Sequence, residues 1–168
     1  MTTSENPQDA KLENPKEAKL SATASFNDAY TQAQAEAARC GAPQPAPKLN
    51  GFLIKQLDQP PIYLILNGYR RHIVTGTTMR RLFTGDPYDH VTNVIDAEVI
   101  AKGPDIAVKA KLVKGEDSDP WYLLPGGQVK MWIKSPAIHN LYHFRAVEEE
   151  AQILIDSIPD GPDVQGRP

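Results

Sequence analysis

Apolar and polar positions follow one scheme twice along this chain. Short apolar runs at residues 53–57 and 112–114 predict strands. Residues 62–66 and 69–74 flank Asn67-Gly68, the strongest short hairpin signal present. In the second stretch Gly126-Gly127 takes the turn, just after Pro125. A short helix follows in each case. Met79, Leu82 and Phe83 fall at i, i+3 and i+4, and so do Ile138, Leu141 and Tyr142. Ser135-Pro136 is a good helix start, a capping serine with proline at the first helical position. Gly103-Pro104 and Gly161-Pro162 close the two stretches.

These stretches are copies of one unit. Leu53 matches Leu112, Lys55 matches Lys114, Asp58 matches Asp117, Pro61 matches Pro120 and Tyr63 matches Tyr122, all at one spacing of 59 residues. The register runs on through Gly68 and Gly127 to Leu82 and Leu141. A unit this short buries only a marginal core alone, so the copies (residues 49–107 and 108–168) are expected to pack as one domain. The predicted class is α+β, rich in β structure, with two tandem strand, hairpin and short-helix repeats.

The N-terminal third reads differently. Residues 1–24 are polar and charged and are expected to be disordered. Residues 25–41 predict a helix, with Ser25 and Asp28 as a start resembling a capping box and Gly41 as its stop. Phe26, Tyr30, Ala33 and Ala37 form one apolar stripe on it. Pro43, Pro45 and Pro47 make residues 42–48 a semi-rigid extended linker, so the helix reads as a separate arm.

Composition excludes several classes. A net charge of −3 and an isoelectric point near 5.8 weigh against nucleic acid as partner. The single Cys40 leaves no internal disulfide. The opening MTTSENPQDAKLENPKEAKL has no apolar core, so no secretory leader is predicted. No run approaches the length of a membrane span.

The order of motifs resembles a short module found in many bacterial proteins, often secreted or surface-attached. Leu112-Val113-Lys114-Gly115, Tyr63-Leu64-Ile65, Asn67-Gly68, Arg70-Arg71-His72-Ile73, Asp96-Ala97-Glu98 and Ile158-Pro159 to Gly161-Pro162 carry the resemblance. It covers about two thirds of the chain. It implies an accessory role beside other domains and a secreted or surface location, and it brings no catalytic residue. Against that pattern, neither an attached enzyme domain nor a leader is expected within these 168 residues.

Charge is segregated within each copy. No acidic residue lies between Asp58 and Asp86, where Arg70, Arg71, His72, Arg80 and Arg81 stand. The second copy does the same between Asp119 and Glu148 with Lys130, Lys134, His139, His143 and Arg145. Paired arginines suit a carboxylate or phosphate. The plainer reading is a solvated face bridged to Asp86, Asp89 or the Glu148-Glu149-Glu150 run. Two-residue turns would set Tyr63 opposite His72, Ile65 opposite Arg70 and Trp121 opposite Trp132. The tryptophan pair reads as core, because the first copy has isoleucine at both places, as a stacking platform for a sugar, or as an interface between the halves or between chains; Tyr69 lies by the basic strip of the first copy.

His139 and His143 stand at i, i+4, but no third ligand is indicated, so no metal site and no cofactor is expected. The clusters at 116–119 and 86–89 lack calcium-loop spacing and read as turns. No nucleophile motif or phosphate loop is present. The expectation is therefore a non-catalytic binding module for a carbohydrate or anionic surface ligand. Its candidate ligand residues are Tyr69, Arg70, Arg71, His72, Arg80, Arg81, Trp121, Lys130 and Trp132. A second reading is a protein-interaction factor (an inhibitor, adaptor or toxin component) docking through Phe26 and Tyr30. A nucleic-acid binder is a weaker third.

Overall fold

The computed structural model describes residues 15–168. Its architecture is α+β and rich in β structure: one long helix, then two similar four-stranded sheets with small helices. The elements are α1 (Pro15–Cys40), β1 (Leu53–Gln56), β2 (Ile62–Leu66), β3 (Tyr69–His72), α2 (Gly76–Leu82) and β4 (Val91–Val94). The second half supplies β5 (Lys111–Gly115), β6 (Trp121–Leu124), β7 (Met131–Ile133), α3 (Pro136–Leu141), β8 (Glu148–Glu150) and α4 (Gln152–Asp156). The sheets run β3-β2-β1-β4 and β7-β6-β5-β8. In each, the first strand is antiparallel to the hairpin and parallel to the last strand, which returns by way of the short helix. Sequence pattern alone gives irregular structure at β4 and β8, because VTNV and EEE show no apolar alternation; their partners, not their side chains, make them strands.

The first hairpin has the expected register, with Tyr63 opposite His72 and Ile65 opposite Arg70. Asn67 and Gly68 both take positive φ, 54° and 82°, as a tight two-residue turn demands. The second hairpin corrects the expectation. Trp121 faces Ile133, and Tyr122 faces Trp132. Its turn is longer than Gly126-Gly127 alone, spanning the residues between Leu124 and Met131. The pairing moves by one place, and a one-residue shift sends alternate side chains to the other face. The two tryptophans therefore lie on opposite faces of the sheet.

One buried cluster draws on both repeats. Leu53, Leu64, Leu66, Ile73 and Met79 meet Leu112, Leu123, Met131, Ile133 and Tyr142 within it. Phe83 and Phe144 face each other near its middle, rings stacked 5.8 Å apart. Around them Thr84 N–H donates to the His143 carbonyl and Arg145 N–H to the Leu82 carbonyl, both at 2.8 Å. This reciprocal pair marks a local pseudo-twofold relation between the halves. The C-terminal segment then crosses to the first repeat. Asn67 Nδ2 donates to the Asp163 carbonyl, and its Oδ1 accepts from Gln165 N–H. Buried Asn50 donates to the Gly166 carbonyl and accepts from Gly68 N–H, while Arg167 Nε donates to the Asn50 carbonyl.

The N-terminal expectations change most. Helix α1 begins at Pro15, so residues 15–24, expected to be disordered, are helical, while residues 1–14 lie outside the described residues. Ser25 and Asp28 are consequently interior helix positions rather than a start. Glu17 and several alanines favour helix, and docking of the following turns supplies the stability that propensity alone does not. Gly41, at φ 66°, ends it as expected. The helix is not a free arm. Phe26, Ala29, Tyr30 and Ala33 pack on the outer face of the first sheet against Ile54, Ile65, Val94 and Ile100. The proline-rich stretch is pinned as well: Gln44 N–H donates to the Val99 carbonyl and Ala46 N–H to the Gly68 carbonyl. Among the described residues, no helix is long and apolar enough to cross a membrane.

Candidate functional site

Two clefts occupy the same place in the two repeats. The first, about 590 Å³, opens between the free end of the β2–β3 hairpin and the start of α2. Pro61, Ile62, His72, Ile73, Val74, Thr75 and Gly76 contribute to it, joined by Lys55 and Asn93 from β1 and β4 and by Tyr88. The second, about 350 Å³, is lined by Pro120, Trp121, Trp132, Ile133, Lys134, Ser135 and Pro136, with Asp119 at its edge. Position by position these are the same seven sites of the repeat, Pro61 to Gly76 matching Pro120 to Pro136. The repeat builds them for a local reason. A β-capable run must turn into a helix within three residues, and Thr75 and Ser135 do this as extended caps that accept from Thr78 N–H and Ile138 N–H. The hairpin end and the helix start diverge there, leaving a wedge that no side chain fills.

Chemically the wedges differ. In the first, Tyr88 stands 43% exposed, with the Arg80 guanidinium 5.7 Å above its ring. His72 lies 3.9 Å from Asp105. In the second, Trp132 is 41% exposed and Lys134 sits over its ring at 5.5 Å. Lys134 is also bridged to Asp163 at 2.6 Å. Trp121 instead leans on the shared core and meets His139 edge to face at 5.1 Å. Both tryptophans reach the second cleft from opposite sides of the sheet edge, so they do not form one flat platform.

The other candidate residues lie elsewhere. Arg70 and Lys130 are buried and hold their own repeats together: Arg70 Nε donates to the Ile100 carbonyl at 2.9 Å and Lys130 Nζ to the Ile158 carbonyl at 2.6 Å. Arg71 is buried beneath Gly103, and its Nε has no hydrogen-bond partner among the described residues. Burial there pulls its guanidinium below the usual arginine value, with Tyr142 and Tyr69 nearby. Tyr69 is partly exposed beside Gly103. Arg81 is exposed and donates to the Val108 carbonyl. The four arginines thus do not converge on one anion. Phe26 and Tyr30, expected to dock a partner, are buried inside the chain, where Phe26 meets Phe52 edge to face and the Tyr30 hydroxyl donates to the Asp96 carbonyl.

The histidines also separate. His139 Nε2 lies 2.7 Å from the Arg145 carbonyl, while His143 stacks on His90 at 4.6 Å. Among the described residues, no group of three or more histidine, cysteine or acidic side chains is arranged to hold a metal. Sequence reasoning misses Lys55, Tyr88 and Asn93 as cleft residues; the match of Lys55 to Lys114 is the one signal for any of them. No known family model, no curated protein and no solved structure matches the chain.

Proposed function

We propose that this chain is a non-catalytic binding module that takes a carbohydrate or anionic ligand in its two clefts. The observation that carries the reading is their equivalence. One wedge, built at the same seven positions of the repeat, is kept open twice and furnished differently each time. Apolar walls with a few polar groups are the ordinary makeup of a ligand pocket. Proline and aromatic surfaces suit the apolar face of a sugar ring, and Lys55, His72, Thr75, Lys134 and Ser135 offer hydrogen bonds around it.

A glycan and anionic-polysaccharide screen of the full chain tests it, run beside His72→Ala for the first cleft and Trp132→Ala for the second. Binding that falls in either variant, with the melting temperature held, supports the proposal. Binding that both variants retain would move the site away from the clefts.

A further inference from the structure

The internal repeat acts as its own control for charge, and the two copies differ at the lysine that neighbours the last strand of each sheet. Lys55 and Lys114 hold the same position of the unit. On the neighbouring parallel strand, Lys55 lies beside Asn93 and Lys114 beside Glu149. Lys114 Nζ is bound to Glu149 at 2.8 Å, and that hydrogen bond holds the ammonium above the usual lysine value. Asn93 offers Lys55 no such charge, and among the described residues no carboxylate lies within ion-pair distance of Lys55.

The same substitution of neutral for charged recurs around the rim. Asp119 of the second cleft corresponds to Pro60 of the first, and the bridged Lys134 corresponds to Val74. Among the described residues, no acidic side chain lines the first cleft. Its larger space is therefore bordered by the Lys55 ammonium, which has no carboxylate partner among the described residues, whereas Lys134, the cation that lines the second cleft, is bridged to Asp163.

We infer that the first cleft binds a carboxylate-bearing sugar, a uronic acid residue, with Lys55 as the anchor of the carboxylate. A half-buried ammonium makes a charge-assisted hydrogen bond roughly twice as strong as a neutral one. The Asn93 amide beside it can donate to the second carboxylate oxygen. The exposed Tyr88 ring and Pro61 provide apolar walls for the ring face, and Arg80 above Tyr88 adds positive potential at the mouth. This rests on the binding-module reading and narrows it to one ligand class at one cleft.

The test is calorimetric titration of the full chain with trigalacturonate, with neutral galactotriose and with sodium acetate. Lys55→Gln and Asn93→Glu are the variants; the second gives Lys55 the neighbour that Lys114 has. Trigalacturonate is expected to bind wild type at least about tenfold more tightly than galactotriose or acetate, and to lose about tenfold or more in both variants. Melting temperature should change little, and galactotriose affinity should fall by much less than trigalacturonate affinity. Acidic and neutral sugars binding alike would overturn the role of Lys55 while leaving the module reading in place. Acetate binding as tightly as trigalacturonate would reduce the cleft to a simple anion site and overturn the sugar assignment. No saccharide binding at all would remove the module reading, and this inference with it.

Discussion

Lys130 stands in the second sheet where Arg70 stands in the first. Each lies on a strand or turn beside the closing segment of its repeat, and each reaches the carbonyl of the corresponding isoleucine, Ile158 or Ile100. Each also lies over the matched tyrosine, Arg70 5.3 Å from the Tyr63 ring centroid and Lys130 5.8 Å from that of Tyr122. Both backbones are bracketed by the closer as well, Gly103 N–H donating to the Arg70 carbonyl and Gly161 N–H to the Lys130 carbonyl. The cation ties the end of each repeat to its hairpin, which accounts for the retained tyrosine.

Arg70→Ala should therefore destabilise the fold. It strands a buried carbonyl and removes a charged hydrogen bond, a loss of about 1.5–3 kcal/mol. The exposed bridge to Glu98 adds little, since Glu98 is 75% exposed. Arg70→Lys should cost much less, because Lys130 shows that lysine can fill the place. Urea denaturation of the two variants checks this; equal stability of wild type and Arg70→Ala would contradict it.

Phe26 gives a second expectation. Buried between its helix and the first sheet, it should cost about 3–5 kcal/mol when replaced by alanine. A residue serving only to dock an external partner would cost almost nothing. Thermal melting of Phe26→Ala in the isolated chain separates the two.

The tryptophans should behave unequally. Trp132→Ala removes a half-exposed ring and should cost no more than about 1 kcal/mol. Trp121→Ala takes away a ring packed on the shared core and should cost about 2–4 kcal/mol. Acrylamide should quench the fluorescence of Trp132, read in Trp121→Phe, more strongly than that of Trp121, read in Trp132→Phe.

His143 should confer a weak pH dependence. Burial first, then His90 and Arg167, hold its imidazole below the ordinary value of 6.5. The unfolded chain thus takes up a proton at higher pH than the folded one. The stability that neutral His143 confers is complete above about pH 6.5 and is lost as pH falls toward its folded value. The ring keeps contact with water, so the effect should stay below about 1 kcal/mol. His143→Asn keeps a residue suited to its φ of 52° and should remove this slope from denaturation curves between about pH 7 and 5.

Much of the repeat is legible because it is written in local signals. Asn67-Gly68 fixes a two-residue turn and with it the pairing of Tyr63 with His72. Gly126-Gly127 marks a turn but not its length, so the register of Trp121 and Trp132 differs by one place from the sequence expectation. The extent of α1 is hidden because residues 15–24 carry no apolar stripe and are helical by propensity and continuation. Strands β4 and β8 are hidden because an edge strand beside a parallel partner needs no alternation of its own.

By itself, then, the sequence determined the repeated unit, its β-rich class, the first hairpin and the helix cap at Ser135, all of which follow from neighbours a few residues apart. Only the tertiary structure decided the rest. It buried Arg70 and Phe26, which read as ligand and partner residues, because burial depends on what lies across the sheet rather than along the chain. It also placed Lys55 beside Asn93 and Lys114 beside Glu149, because a parallel crossover joins residues that sequence spacing keeps far apart.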